Sequence, residues 1–154
     1  MSVNQGEKAP YFEGVIEDGS SISLKDYAGK KLALFFYPAD MTPGCTAEAC
    51  NLRDNYTTLK EAGYELLGVS TDSDKKHQKF IDKYELPFHL LADTDKTVVR
   101  AYGVYGPKSF MGKIFEGTHR KTFLIDEEGT ITHIIEKVKT KDHAAQILEL
   151  TAVS

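Results

Sequence analysis

A chain of 154 residues suits one domain, spanning 1–154, that buries about 68–70% of its unfolded surface without cross-links. Its 41% hydrophobic and 27% charged residues are ordinary for a soluble globular protein, and the net charge of −4 argues against a nucleic-acid or anionic-membrane surface. The first ten residues are polar, with no apolar signal core, and no apolar run approaches the ~20 residues needed to cross a bilayer, so a cytoplasmic setting is the expectation.

In chain order, residues 11–16 and 21–24 flank Glu17-Asp18-Gly19-Ser20 and read as a hairpin. Residues 31–37 (KLALFFY) and 64–70 (YELLGVS) are nearly all apolar, as in strands covered on both faces. Between them Cys45, Ala49, Leu52, Tyr56 and Leu59 recur at helical steps. A strand–helix–strand unit makes the two strands parallel. The pattern then predicts a helix over 73–84, capped by Asp72 or Ser73 with Pro87 beyond its end. A short strand over 88–91 and a helix over 95–102, stopped at Gly103, come next. Residues 121–126 and 130–138 flank Glu127-Glu128-Gly129 as a second hairpin, and a last helix takes 141–150. The fold class is α/β, with a mixed central sheet flanked by helices.

Both cysteines of the chain lie in YPADMTPGCTAEAC, residues 37–50. In a reducing compartment two close thiols point to catalysis, redox chemistry or metal binding ahead of a structural bridge. Pro43 and Gly44 turn the chain, so Cys45 falls in the first helical turn, where unpaired N–H groups and the helix dipole favour a thiolate. The same residue lies on the apolar stripe with Leu52 and Tyr56, which also suits a small core side chain. Cys50, five residues on, is displaced by about 7.5 Å along a regular helix and turned by about 140°. The resulting Cα separation of roughly 8–9 Å exceeds the ~7 Å limit for a disulfide, so the pair can join only if the first turn unwinds. A zinc site would need ligands beyond the two thiols, from among His77, His89, His119, His133 and His143, and no second Cys/His pair stands at such spacing. The Cys-x-x-Cys of a disulfide reductase is missing.

Pro38-x-x-x-Thr42-x-x-Cys45 resembles the active-site signature of the peroxiredoxins. With Gly44, Thr46, Glu48 and Cys50 it is similar to the Q-type branch, also called bacterioferritin comigratory proteins. The likeness extends through Gly6-Glu7-Lys8-Ala9-Pro10-Tyr11-Phe12, Leu67-Gly68-Val69-Ser70-Thr71-Asp72, Lys108-Ser109-Phe110-Met111-Gly112 and Arg120-Lys121-Thr122-Phe123-Leu124-Ile125-Asp126. Tyr105 departs from it, standing where many members carry tryptophan. The resemblance implies a thioredoxin-like fold with an extra N-terminal hairpin, and a monomeric thiol peroxidase that needs neither metal nor flavin. Cys45 would be the peroxidatic thiol, and Cys50 the resolving thiol of an intramolecular Cys45–Cys50 disulfide. Thr42, Gly44, Cys45 and Arg120 would line the peroxide position, with Pro38 and Pro43 shaping it. Hydrogen peroxide and organic hydroperoxides would be the substrates, and thioredoxin or a similar dithiol protein the reductant.

The residue types suit that chemistry. As an O–O bond breaks, charge builds on the departing oxygen; a threonine hydroxyl both accepts and donates, and an arginine donates without losing its charge. A thiol of ordinary pKa, about 8.5, is roughly 7% ionised at pH 7.4. Complete ionisation would therefore gain only about 13-fold, or ~1.5 kcal/mol. Oriented donors must supply more. From another class, a redox-regulated binding protein or holdase could use the same two thiols as a switch; Thr42 and Arg120 have no purpose in that reading.

Overall fold

The computed structural model describes residues 3–153; Met1, Ser2 and Ser154, included in the single domain expected from sequence, lie outside the described residues. The strands are β1 (Glu13–Ile16), β2 (Ser21–Ser23), β3 (Lys31–Phe36), β4 (Tyr64–Ser70), β5 (His89–Ala92), β6 (Tyr105–Phe110), β7 (Lys113–Thr118), β8 (Lys121–Ile125) and β9 (Ile131–Ile135). The α-helices are α1 (Pro43–Asp54), α2 (Tyr56–Glu61), α3 (Asp74–Tyr84), α4 (Thr97–Ala101) and α5 (His143–Val153), with a 3-10 turn at Leu24–Tyr27.

Seven strands form one sheet in the order β2-β1-β5-β4-β3-β8-β9. β3 and β5 run parallel to β4, while β1, β8 and β9 add antiparallel edges. The apolar run of β3 is explained by burial on both faces. Ala33, Phe35 and Tyr37 pack into a core beneath α1, α2, α3 and α5, where Leu52, Leu59, Phe80 and Ile147 meet them. Leu32, Leu34 and Phe36 face a second core with Val98 and Val99 of α4 and with Phe12, Tyr102 and Phe123. In β4, Gly68 leaves room for that packing: a Cβ there would stand 2.7 Å from both the Phe35 ring and Leu90.

The mixed α/β sheet, the N-terminal hairpin, the parallel β3–β4 pair and the β8–β9 hairpin agree with the sequence expectation. Ser73 is the cap of α3, its hydroxyl accepting from Lys76 N at 3.2 Å. Two features differ. The helical stripe from Cys45 to Leu59 is two helices, because Asn55 leaves helical geometry (φ −112°, ψ 14°) and its side chain donates to the Asn51 carbonyl at 2.9 Å. Asparagine competes in this way for the carbonyls that continue a helix. The second is the separate two-stranded ribbon β6–β7, absent from the sequence expectation, paired from Tyr105↔Thr118 to Phe110↔Lys113.

Candidate active site

The site forms where β3 leaves the sheet. Residues 37–42 carry the chain over the strand's C-terminal end, and α1 begins with Thr42 as N-cap and Pro43 in its first turn. Proline suits that place because its missing N–H is one that a helix start leaves unpaired. The Thr42 carbonyl accepts the first helical bond, from Thr46 N at 2.8 Å. Its hydroxyl does not cap the helix but donates backwards to Ala39 O at 2.9 Å. The turn is held from below: Tyr37 Oη donates to Asp40 Oδ1 at 2.6 Å, Asp40 Oδ2 meets His77 Nδ1 at 2.7 Å, and His77 Nε2 bonds the Leu91 carbonyl at 3.0 Å. Asp40 N also donates to Asp72 Oδ2 at 2.7 Å. Met41, next in the chain, takes the left-handed region at φ 68°.

Topology brings Arg120 to the same place. Because β8 runs antiparallel to β3 with Phe36 opposite Lys121, the residue just before β8 lands beside the end of β3. Arg120 Nη2 donates to Cys45 Sγ at 3.3 Å, and Nη1 donates to Glu48 Oε1 at 2.6 Å. One guanidinium therefore grips two residues a helical turn apart on α1. Burial works against its charge, but Glu48 and Cys45 hold its pKa above the usual arginine range. Gly44 leaves the guanidinium room: a Cβ at that position would stand 3.1 Å from Arg120 Nη2, which would have to shift by a few tenths of an ångström. Lys108 of β6 adds a second cation. Its Nζ donates to Thr118 O at 2.9 Å, and burial together with Arg120 lowers its pKa while Cys45 pulls the other way.

Cys45 is buried and Cys50 half-buried, both as free thiols. The backbone is helical throughout Pro43–Asp54, so the separation derived from helix geometry applies to the structure. The structure thus unites Thr42, Gly44, Cys45 and Arg120 at the head of α1, with Pro43 in its first turn and Pro38 in the loop before it. Cys50 lies on the same helix beyond bonding reach of Cys45. Among the described residues no group of three or more His, Cys, Asp or Glu side chains is placed to hold a metal ion.

Glu48, named in the sequence motif without a role, is a further residue of the site. It is fully buried, and its Oε2 has no hydrogen-bond partner. Burial pushes its pKa up to about 7 against the pull of Arg120. His143 lies behind it, Nε2 3.7 Å from Glu48 Oε2, and burial lowers the His143 pKa to about 4. A signal existed in the sequence: Glu48 follows Cys45 by three residues and so shares its helix face.

Residues 5–134 match the AhpC/TSA family. The chain is 46% identical over 143 residues to Peroxiredoxin Bcp of Escherichia coli K12, covering 93% of this chain and 92% of that one. It is 45% identical over 149 residues to Peroxiredoxin Bcp of Bacillus subtilis, covering 97% and 95%. Among solved structures, a cysteine-to-serine mutant of PrxQ from Xylella fastidiosa superposes with a TM-score of 0.91 at 29% identity over 99% of this chain and 98% of that one. The Xanthomonas campestris bacterioferritin comigratory protein, solved as a trapped intermediate/ligand complex bearing on alkyl peroxide reduction, gives 0.85 at 34% identity over 92% and 90%. The chain belongs to the AhpC/TSA family, and within it to the peroxiredoxins of the Bcp or Q type, with their thioredoxin-like fold. No described helix is long and apolar enough to cross a membrane.

Proposed function

We propose that the chain is a monomeric, cytoplasmic, thioredoxin-dependent thiol peroxidase acting in antioxidant defence on hydrogen peroxide and organic hydroperoxides. The observation that carries this reading is the single guanidinium of Arg120, bonded at once to Cys45 Sγ and Glu48. It fixes a cation beside a thiol at a helix start, where charge develops during attack. The alkyl peroxide reduction named for the X. campestris relative supports the substrate class.

The Cys45 thiolate attacks one peroxide oxygen. A sulfur–oxygen bond forms, the O–O bond breaks, and the electron pair leaves with RO⁻, which takes a proton to become ROH. Cys45 keeps the hydroxyl as a sulfenic acid. Arg120 steadies the thiolate and the departing oxygen. The Thr42 proton is engaged with Ala39 O, so its oxygen keeps lone pairs to accept the peroxide O–H and orient the bond for attack. The Cys50 thiolate then attacks Cys45 Sγ: the disulfide forms, the S–O bond breaks, and hydroxide leaves as water on taking a proton. Thioredoxin or a similar dithiol returns both thiols by exchange.

A peroxidase assay coupled to thioredoxin, thioredoxin reductase and NADPH tests this reading on wild type, Cys45→Ser and Cys50→Ser. Cys45→Ser should abolish turnover. Cys50→Ser should react once with peroxide and accumulate a sulfenic acid on Cys45. A sulfenic acid on Cys50 instead would reverse the roles. The holdase reading has one observation in its favour, the exposed Phe110, Met111, Ile114 and Phe115 on the β6–β7 ribbon. Failure of wild type to consume peroxide at catalytic concentration would select it.

A further inference from the structure

Glu48 lies between the two cysteines, inside the stretch that must unwind for them to meet. Together with Cys45 it ties that stretch to the rest of the protein through Arg120, and its bond is the shorter of the two. We propose that Glu48 is a positioning residue for the resolving step: bound to Arg120 it keeps the first turns of α1 wound, and on losing its proton it favours their release, so that Cys45 can reach Cys50. This rests on the reading above, in which the two thiols form a disulfide.

The surroundings of the carboxyl favour its protonated form for a visible reason. Gln146 Oε1 accepts from Lys139 N, and Gln146 Nε2 donates to Lys137 O, which fixes the amide's orientation. Gln146 Oε1 can then only accept from His143 Nδ1, at 2.8 Å, so the proton of the neutral ring sits on Nδ1. His143 Nε2 is left as an acceptor and takes the Thr122 hydroxyl proton at 2.7 Å. Nothing on His143 can donate to Glu48 Oε2, which therefore has no partner when ionised. A proton on Oε2 removes the unpaired buried charge; the one Nε2 lone pair is taken by Thr122 and lies 3.7 Å away, beyond hydrogen-bond reach. The charged and titratable groups facing Glu48 are thus Arg120 from the head of β8, His143 from α5 and Cys45 on its own helix. Lys108 of β6 is felt at Arg120 and bonds the Thr118 carbonyl.

The sign follows from linkage. The carboxyl titrates near 7 while buried and returns towards its ordinary 4.5 once the turn opens to water. Between those values the wound form binds the extra proton, so raising the pH favours unwinding. The gain is absent below pH 4.5, grows about tenfold per pH unit, and is complete above pH 7, at about 10²-fold or somewhat more.

The test uses wild type and Glu48→Gln, which keeps the shape and the acceptor for Arg120 but cannot ionise. Each reduced protein is mixed with one equivalent of hydrogen peroxide from pH 5 to 8, quenched with an alkylating agent and resolved by mass spectrometry into sulfenic acid and disulfide. Ionisation of Cys50 contributes to both proteins, so the ratio of resolving rate constants, wild type over variant, isolates Glu48. That ratio should rise by on the order of 10²-fold between pH 5 and 7.5 and then level off. A flat ratio with disulfide forming in both overturns the proposal and leaves the peroxidase reading standing. Absence of the Cys45–Cys50 disulfide from both overturns that reading and the proposal with it. Should the variant not fold, amide exchange over residues 44–50 of reduced wild type, corrected for intrinsic rates, decides: protection falling about 10²-fold across the same range supports the proposal, and constant protection overturns it.

Discussion

Replacing Arg120 by methionine removes a fixed charge and two directed hydrogen bonds while keeping an extended side chain. At 3.3 Å from the sulfur, a unit charge in surroundings of effective dielectric about 20 attracts a thiolate by about 5 kcal/mol, before the opposing charge of Glu48 is counted. The ground state feels that attraction through thiol ionisation, which accounts for about 13-fold in rate at pH 7.4 for a thiol returning to the ordinary pKa of about 8.5. The transition state loses an oriented donor as well, and such losses cost about 10²–10³-fold. Arg120→Met should therefore slow the second-order reaction with peroxide by about 10³–10⁴-fold at pH 7.4. Stopped-flow rates, measured beside an ultraviolet titration of the thiolate, should recover only about tenfold at alkaline pH, where ionisation is complete. Full recovery to the wild-type rate would show that Arg120 only tunes the thiol, and its transition-state role would have to be dropped.

Thr42→Val keeps the shape but loses the hydroxyl oxygen that would accept the peroxide O–H, and the same stopped-flow assay should show attack slowed by about 10²-fold, with no recovery at alkaline pH. Gly44→Ala introduces a methyl group 3.1 Å from Arg120 Nη2, so peroxide attack should slow more than tenfold while the urea midpoint hardly moves; an unchanged rate would show that Arg120 moves aside freely. His77→Leu removes the His77 contacts of Asp40 Oδ2 and of the Leu91 carbonyl, with Tyr37 still donating to Asp40 Oδ1, and urea unfolding should lose about 2–6 kcal/mol of stability at unchanged m-value.

The parts of this structure legible in the sequence are those where one signal dominates. KLALFFY could only be a doubly covered strand, Ser73 stands where a helix needs a cap, and Pro43-Gly44-Cys45 places a thiol in a first turn. The ribbon β6–β7 escaped because its burial does not alternate: most of its residues are exposed on both faces, and Gly106, Pro107, Gly112 and Gly117 read as loop punctuation. The break at Asn55 was hidden because Tyr56 and Leu59 keep the apolar period of Cys45 and Leu52 across it. Arg120 was reached through the family resemblance, since a charged residue before a strand is unremarkable alone. Its partner Glu48 shares the helix face of Cys45 but otherwise reads as a solvated helical glutamate, and the antiparallel return of β8, which brings Arg120 to it, accounts for the pairing of this buried carboxyl.

In the proposed disulfide cycle, one anchor on α1 has a bearing on how the protein resets. Asn51, the residue after Cys50, is tied to the chain around the start of α5: its Nδ2 donates to Lys141 O at 3.0 Å, and its Oδ1 accepts from Ala144 N at 2.8 Å. Loosening that begins near Cys45 meets a tethered stub of helix at Asn51, with Leu52 fully buried just beyond. Once the thiols are reduced again, the released residues wind back onto a standing template. They are spared the nucleation penalty of roughly 10⁻³ that a free helix must overcome. Elongation from an existing end takes on the order of nanoseconds per residue. In that proposed cycle the delay before the next peroxide would be set by the exchange chemistry of the reductant, with backbone rewinding contributing almost nothing to it.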